Sequence, residues 1–242
     1  MRVRTFAALV TASLISASTS QAASLQVAPV SLEVRAPGAA ATITLRNDGT
    51  NPLNAQIRVF RWSQTNGQEK LEPTDDVVAS PPIATLPPKT DYTLRLVRVT
   101  KRPIATAESY RLFVDELPDP KAQQNRVITL VMRYSIPAFF YPPDTADAKL
   151  AWSVEQRSGR VYVSATNDGD RHVRISALKL RDASGSTASF GNGLTGYVLG
   201  RSTMRWETQG SFLRLGAGSP IVISAQGDSG PINASLPAPP AR

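Results

Sequence analysis

The stretch RVITLVMRYSIPAFFYPP, residues 126–143, decides the fold. From Ile128 onward every second position is apolar or aromatic: Ile128, Leu130, Met132, Tyr134 and Ile136. The positions between are mixed: Val127, Thr129, Val131, Arg133 and Ser135. A period of two is that of a β-strand, whose successive side chains point to opposite faces. A polar loop, DPKAQQNR (119–126), leads into the strand, and prolines close it. Its apolar face must cover a core. The pattern alone favours a core of this chain over one supplied by a partner.

The same alternation recurs on both sides. Strands are expected near 25–34, 41–46, 54–62, 91–99, 109–116 and 127–140. A second set is expected near 150–156, 160–166, 172–181, 195–200, 203–207 and 219–226. Short strands at this spacing, with turn residues between them and no helical periodicity, indicate antiparallel sandwiches. ATITLRNDG (41–49) and VYVSATNDG (161–169) both run from an alternating strand into Asn-Asp-Gly, which suggests two copies of one plan. Between them FFYPPDTADAK (139–149) reads as a linker. The organisation expected is a signal at 1–22, a first sandwich at 23–143, a second at 144–235 and a mobile tail at 236–242. PINASLPAPPAR as a whole reads as extended and mobile.

Composition narrows the function. Hydrophobic residues make up 41% of the 242 and charged residues 19%, enough apolar material for packed cores. Arg2 and Arg4, the run FAALVTASLISA and the small residues of TSQAAS read as an export signal cleaved after Ala22. The run is too short to span a bilayer, so no membrane insertion is expected. There is no cysteine, so burial rather than disulfides must hold the exported chain. The net charge of +8 falls to +6 when Arg2 and Arg4 leave. The arginines are scattered among strands without a run or an aromatic platform, which argues against a nucleic-acid partner.

Catalytic constellations are not found. The only histidine, His172, stands at a strand start with no nucleophile elbow nearby and reads as exposed or structurally hydrogen-bonded. Asp75–Asp76 and Asp115–Glu116 are adjacent pairs; neighbours on a strand face opposite ways and cannot converge on one substrate. NDGD (167–170) lacks the ligand spacing of a calcium loop and reads as a turn. Neither an enzyme activity nor a cofactor nor a metal is expected.

Four features together resemble a known family, the periplasmic chaperones that assemble surface pili. An export signal precedes LQVAPVSLEV; ESYRLFVDELP (108–118) closes one strand; the polar loop leads into the long alternating strand; and a second β domain contains LTGYVLG and AQGDSG. RYSIPAFFYPP resembles the archaic branch, which builds thin pili. The resemblance implies two immunoglobulin-like sandwiches joined by a short linker in an L. It also implies a periplasmic location, with pilus subunits and an outer-membrane usher as partners. In that family the long strand is lent to a subunit lacking its last strand, which here would assign Ile128, Leu130, Met132 and Tyr134 to the subunit's groove. Val30 and Pro137 stand where the better-known branch carries the basic residues that grip the subunit's terminal carboxylate. Arg133, Arg111 and Arg95 are the candidates to replace them. Glu108 and Asp228 match acidic positions of a network that ties the two domains, whereas Pro142 replaces its expected arginine.

Two other classes fit less of the sequence. A structural pilus subunit is usually shorter and carries its donor segment at the N-terminus. An exported carbohydrate-binding module would cluster its aromatics, but Trp62, Trp152 and Trp206 are spread apart and read as core anchors.

Overall fold

The computed structural model describes residues 25–118, 130–157, 160–208 and 220–237. The signal falls outside them, as does Ile128. Eighteen strands, numbered β1 to β18 in chain order, are described, and no helix.

The first sandwich has two sheets. One runs β1 (Leu25–Ala28), β3 (Ala40–Asn47), β8 (Asp91–Arg98), β6 (Val77–Ser80). The other runs β2 (Leu32–Arg35), β10 (Arg133–Tyr141), β9 (Glu108–Leu117), β4 (Leu53–Thr65), β5 (Gln68–Pro73), with β7 (Ile83–Leu86) alongside the start of β4. Ile43 and Leu45 from β3, Leu94 and Leu96 from β8, and Leu112 and Val114 from β9 are fully buried between the sheets. Their spacing of two residues is the alternation seen in the sequence, which puts one face of each strand in the core.

The second sandwich repeats the plan. One sheet runs β11 (Leu150–Arg157), β12 (Arg160–Asn167), β16 (Ser202–Glu207). Its partner runs β14 (Thr187–Ser189), β13 (Val173–Asp182), β17 (Ile221–Gly227), β18 (Gly230–Leu236), with β15 (Leu194–Val198) also on β13. Val161, Val163, Ile175, Leu180 and Ile223 form the fully buried centre, with Trp206 against them and Trp152 packed at its margin.

The Asn-Asp-Gly echo is structural. Asn47 is buried; it donates to the carbonyls of Asn51 (2.8 Å) and Leu86 (3.0 Å) and accepts from the Gly49 N–H (2.9 Å). Asn167 does the same with Arg171 (2.6 Å), Leu199 (3.2 Å) and Gly169 (3.0 Å). In each copy one buried amide closes the turn and ties it to a distant strand, so its own burial is compensated.

Some expectations need correcting. The first expected strand, 25–34, is two, because the chain passes from one sheet to the other across Pro29–Ser31. The supposed linker starts later: Phe139, Phe140 and Tyr141 belong to β10 and are buried. The connection that follows is bound to the second sandwich by Ala146, which accepts from the N–H groups of Asp170 and Arg171. The tail does not begin at Pro231 or at Leu236, since residues 231–236 pair with β17 and Leu236 lies against the second core.

Candidate functional site

β10 is covered unevenly. Its residues 133–140 pair antiparallel with β9 on one side. On the other, β2 pairs in parallel with Ala138–Tyr141 only. Before Ala138 that edge meets no strand among the described residues, and Val30, two residues before β2 begins, is 69% exposed. The Glu116 N–H donates to the Met132 carbonyl (2.9 Å). The alternation of an antiparallel ladder therefore turns the main-chain groups of Arg133 and Ser135 toward the open edge. Pro137 occupies the same outward phase, where its missing N–H costs the ladder nothing.

The even-numbered face of β10 is the apolar one. Ile136, Ala138 and Phe140 are buried in the first core, but burial fails upstream: Met132 is 38% exposed and Leu130 88%. The strand expected near 127–140 is a strand only from Arg133, and Leu130 and Met132 lie on the segment leading into it, in phase with its apolar face but outside the sandwich. Tyr134 does not go with Leu130 and Met132. Its ring packs on the first core and its hydroxyl donates to the Leu25 carbonyl, so it is a home residue, held there because its phenol has a partner.

The outer face of the same sheet is cationic and aromatic. Phe60 and Phe113 pack at 5.4 Å, with the Arg58 guanidinium over the first ring and that of Arg133 over the second. Asp115 lies between the two arginines and accepts from both. Burial alone would raise its carboxyl, but these hydrogen bonds outweigh that and hold its pKa below the ordinary value.

An edge strand whose apolar face outruns its core is what a strand-lending protein needs. A family model described as "Pili and flagellar-assembly chaperone, PapD N-terminal domain" matches residues 24–146, half of the chain. The chain belongs to that family. Among solved structures it is similar to a chain of the CsuC–CsuE chaperone–tip adhesion subunit pre-assembly complex from the archaic chaperone–usher Csu pili of Acinetobacter baumannii. That match has 27% identity, covers 91% of this chain and 100% of the other, and has a TM-score of 0.66. The fold is shared with the Escherichia coli chaperone DraB (19%; 88% and 98% covered; TM-score 0.58). It is also shared with a chain of the Salmonella enterica SafA pilin–SafB chaperone complex (16%; 89% and 98%; TM-score 0.60). A search of curated proteins finds no match. The resemblance read from ESYRLFVDELP and the archaic-type wording after it agrees with these findings.

The chaperone's two sandwiches meet in an aromatic junction of Trp62, Phe139, Tyr141, Tyr197 and Leu199. Gln64 clasps the second sandwich, donating to the Tyr197 carbonyl (2.7 Å) and accepting from the Leu199 N–H (3.0 Å). Arg171 pairs with Glu33 at 2.7 Å. His172 stacks on Phe139 with centroids 3.6 Å apart, and its Nδ1 lies 2.6 Å from the Tyr141 hydroxyl. The histidine is therefore structural, as expected, and it sits where the sandwiches meet.

Other placements differ from expectation. Arg95 is on β8, across the core from β10, with its side chain exposed; it cannot share a site with Arg133. Arg111 is almost wholly buried, its guanidinium 3.7 Å from the Trp62 centroid and 3.6 Å from Glu69. Burial lowers its pKa, and Glu69 and Tyr197 partly offset this. Glu108 does not tie the domains: it pairs with Arg98 inside the first sandwich. Asp228 pairs with Arg174 of its own sandwich (2.7 Å) in an exposed position, and reaches the junction only through its charge, which acts on His172 and Tyr141. Trp62, expected as a core anchor, belongs to the junction instead.

His172 makes the junction pH-dependent. Burial pushes its pKa down to about 4 from the ordinary 6.5, with Asp228 opposing and Arg171, Arg111 and Arg174 assisting. A neutral histidine in the fold stabilises fully above pH 6.5. That contribution is lost as pH falls toward 4, because the unfolded chain then binds the extra proton. The loss amounts to about 3 kcal/mol at most. Melting temperatures of wild type and His172→Phe between pH 7 and 4 are expected to converge toward the acid end. Parallel curves would show that the imidazole takes up its proton without penalty.

Proposed function

We propose that the chaperone works in the periplasm and lends the segment leading into β10, with the strand's first residues, to pilus subunits that lack a strand, then passes them to an outer-membrane usher. The observation that carries this reading is the exposure of Leu130 and Met132 on the face that buries Ile136. In a subunit's groove the outward N–H and C=O groups of Arg133 and Ser135 would pair with the subunit's main chain, while Leu130 and Met132 enter its pockets. Burying each contributes about 1.5–3 kcal/mol. Ile128, in phase with both, would add a third side chain. The thioether of Met132 adapts to pockets of different shape, which suits several clients.

Of the basic candidates, Arg133 flanks the open edge and keeps 60% of its side chain exposed, whereas Arg111 is packed into the junction. Arg133 is the better placed to hold an incoming carboxylate, a charge-assisted contact that Asp115 orients from behind.

Co-expression with an exported, genetically neighbouring subunit tests the reading. Gel filtration of the periplasmic fraction is expected to show a discrete one-to-one complex, with the subunit alone aggregating or degraded. A subunit recovered equally well without the chaperone would overturn it.

A further inference from the structure

The ladder between β9 and β10 ends on a side chain. In an antiparallel pair of residues the two normally exchange main-chain bonds. At Glu116 and Met132 only one is made that way, from the Glu116 N–H to the Met132 carbonyl at 2.9 Å. The Met132 N–H goes instead to Glu116 Oε2, at 3.1 Å. Glu116 belongs to the core-facing phase of β9, two residues beyond the fully buried Val114, and opposite Ala55 of β4, which is also fully buried. The inner face of this sheet therefore closes on a carboxylate. Beyond it, on the same face, come the exposed Met132 and Leu130.

We propose that Glu116 is the positioning residue that fixes where β10 leaves its own sheet. Its carboxylate holds the Met132 main chain extended. It also stops the home core there, because an apolar cover over Met132 would bury the charge without a partner. Leu130 and Met132 then stay unpacked yet aligned for a partner's groove. The proposal names a determinant within the strand-lending reading and rests on it.

The two jobs separate by substitution. Glu116→Gln keeps an oxygen acceptor for the Met132 N–H, Glu116→Ala removes it, and Glu116→Leu offers the home core an apolar extension. Hydrogen exchange of the Met132 amide is measured on the free full chain, and capture of a purified subunit is measured beside it. The Ala variant is expected to exchange Met132 about tenfold faster, with the buried β9 amides unchanged, and to capture subunit several-fold more slowly. The Gln variant is expected to restore Met132 protection. The Leu variant is expected to melt higher and capture less. The same Met132 exchange rate in wild type and the Ala variant would overturn the proposal, and so would wild-type capture by both the Ala and Leu variants. The exchange arm needs no partner and judges Glu116 by itself. A wild-type protein that captures no subunit counts against strand lending alone.

Discussion

Leu130→Asp is expected to leave the free chaperone folded at nearly its wild-type melting temperature and to abolish subunit capture. The side chain is 88% exposed, so its own sandwich loses almost no packing when it goes. Surface changes of this kind usually move stability by no more than about 0.5 kcal/mol. In a partner's groove the account reverses. The burial of one leucine, about 1.5–3 kcal/mol, is lost. A carboxylate must enter apolar surroundings without a partner, which costs several kcal/mol more. A combined penalty of about 5 kcal/mol weakens binding on the order of several thousandfold. Ile136→Asp is the internal contrast: on the same face six residues along, but 2% exposed, it should unfold the first sandwich. Circular-dichroism melting beside a subunit pull-down reads both variants. A sharp drop in melting temperature for Leu130→Asp would place that residue in the home core and end the strand-lending reading for it.

That contrast also shows what the sequence could and could not reveal. Alternation from Ile128 to Ile136 identified the strand and its apolar face, because a half-buried strand writes its burial into every second residue. It could not say where the home core stops. The boundary is set by Glu116 on β9 and by β2, which pairs with β10 only from Leu32 on, and neither touches the period of β10. Local pattern failed elsewhere for the same reason. QEKLEP of β5 is exposed on both faces and has no apolar period to read. PINASL of β18 carries a proline at its start that an edge strand tolerates but a sequence reading takes for a break. Alternation assigns Arg95 and Arg133 to strands but does not say that those strands lie in different sheets. The neighbours Asp115 and Glu116 face opposite ways and have separate tasks: Asp115 outward to Arg58 and Arg133, Glu116 inward to Met132. The junction of Trp62, Phe139, His172 and Tyr197 joins parts of the chain far apart in sequence, and no spacing rule connects them.

Glu108→Ala is expected to destabilise the first sandwich by about 3–5 kcal/mol, the usual cost of removing one partner of a buried ion pair. Arg98 and Glu108 are 7% and 14% exposed and meet through two hydrogen bonds, at 2.8 and 2.9 Å, at the end of the sandwich where β8 of one sheet approaches β9 of the other. The Tyr110 hydroxyl donates to the same carboxylate at 3.0 Å. Burial alone would raise the Glu108 carboxyl, but the hydrogen bonds from Arg98 and Tyr110 prevail and hold its pKa below the ordinary value. Its stabilisation is therefore complete above the ordinary carboxylate range and is lost as pH falls through the lowered folded-state value. Alanine leaves the Arg98 guanidinium buried with a hydrogen bond to the Thr100 carbonyl, 2.9 Å away, and the more distant charge of Asp76. Against a total domain stability of about 5–15 kcal/mol, such a loss brings the first sandwich close to unfolding at room temperature. Replacing both partners, as Arg98→Met with Glu108→Leu, should recover most of the loss, since desolvating the ions offsets much of what their pairing contributes. Scanning calorimetry distinguishes a pair that serves one sandwich from one that binds the two together. The side-chain hydrogen bonds of Glu108 go to Arg98 and Tyr110, and Arg61, whose charge also acts on its carboxyl, is in the same sandwich, so only the transition of the first sandwich should move. An equal shift of both transitions would mean that the pair holds the domains together after all, through the junction that Tyr110's neighbour in the core, Phe140, borders along β10.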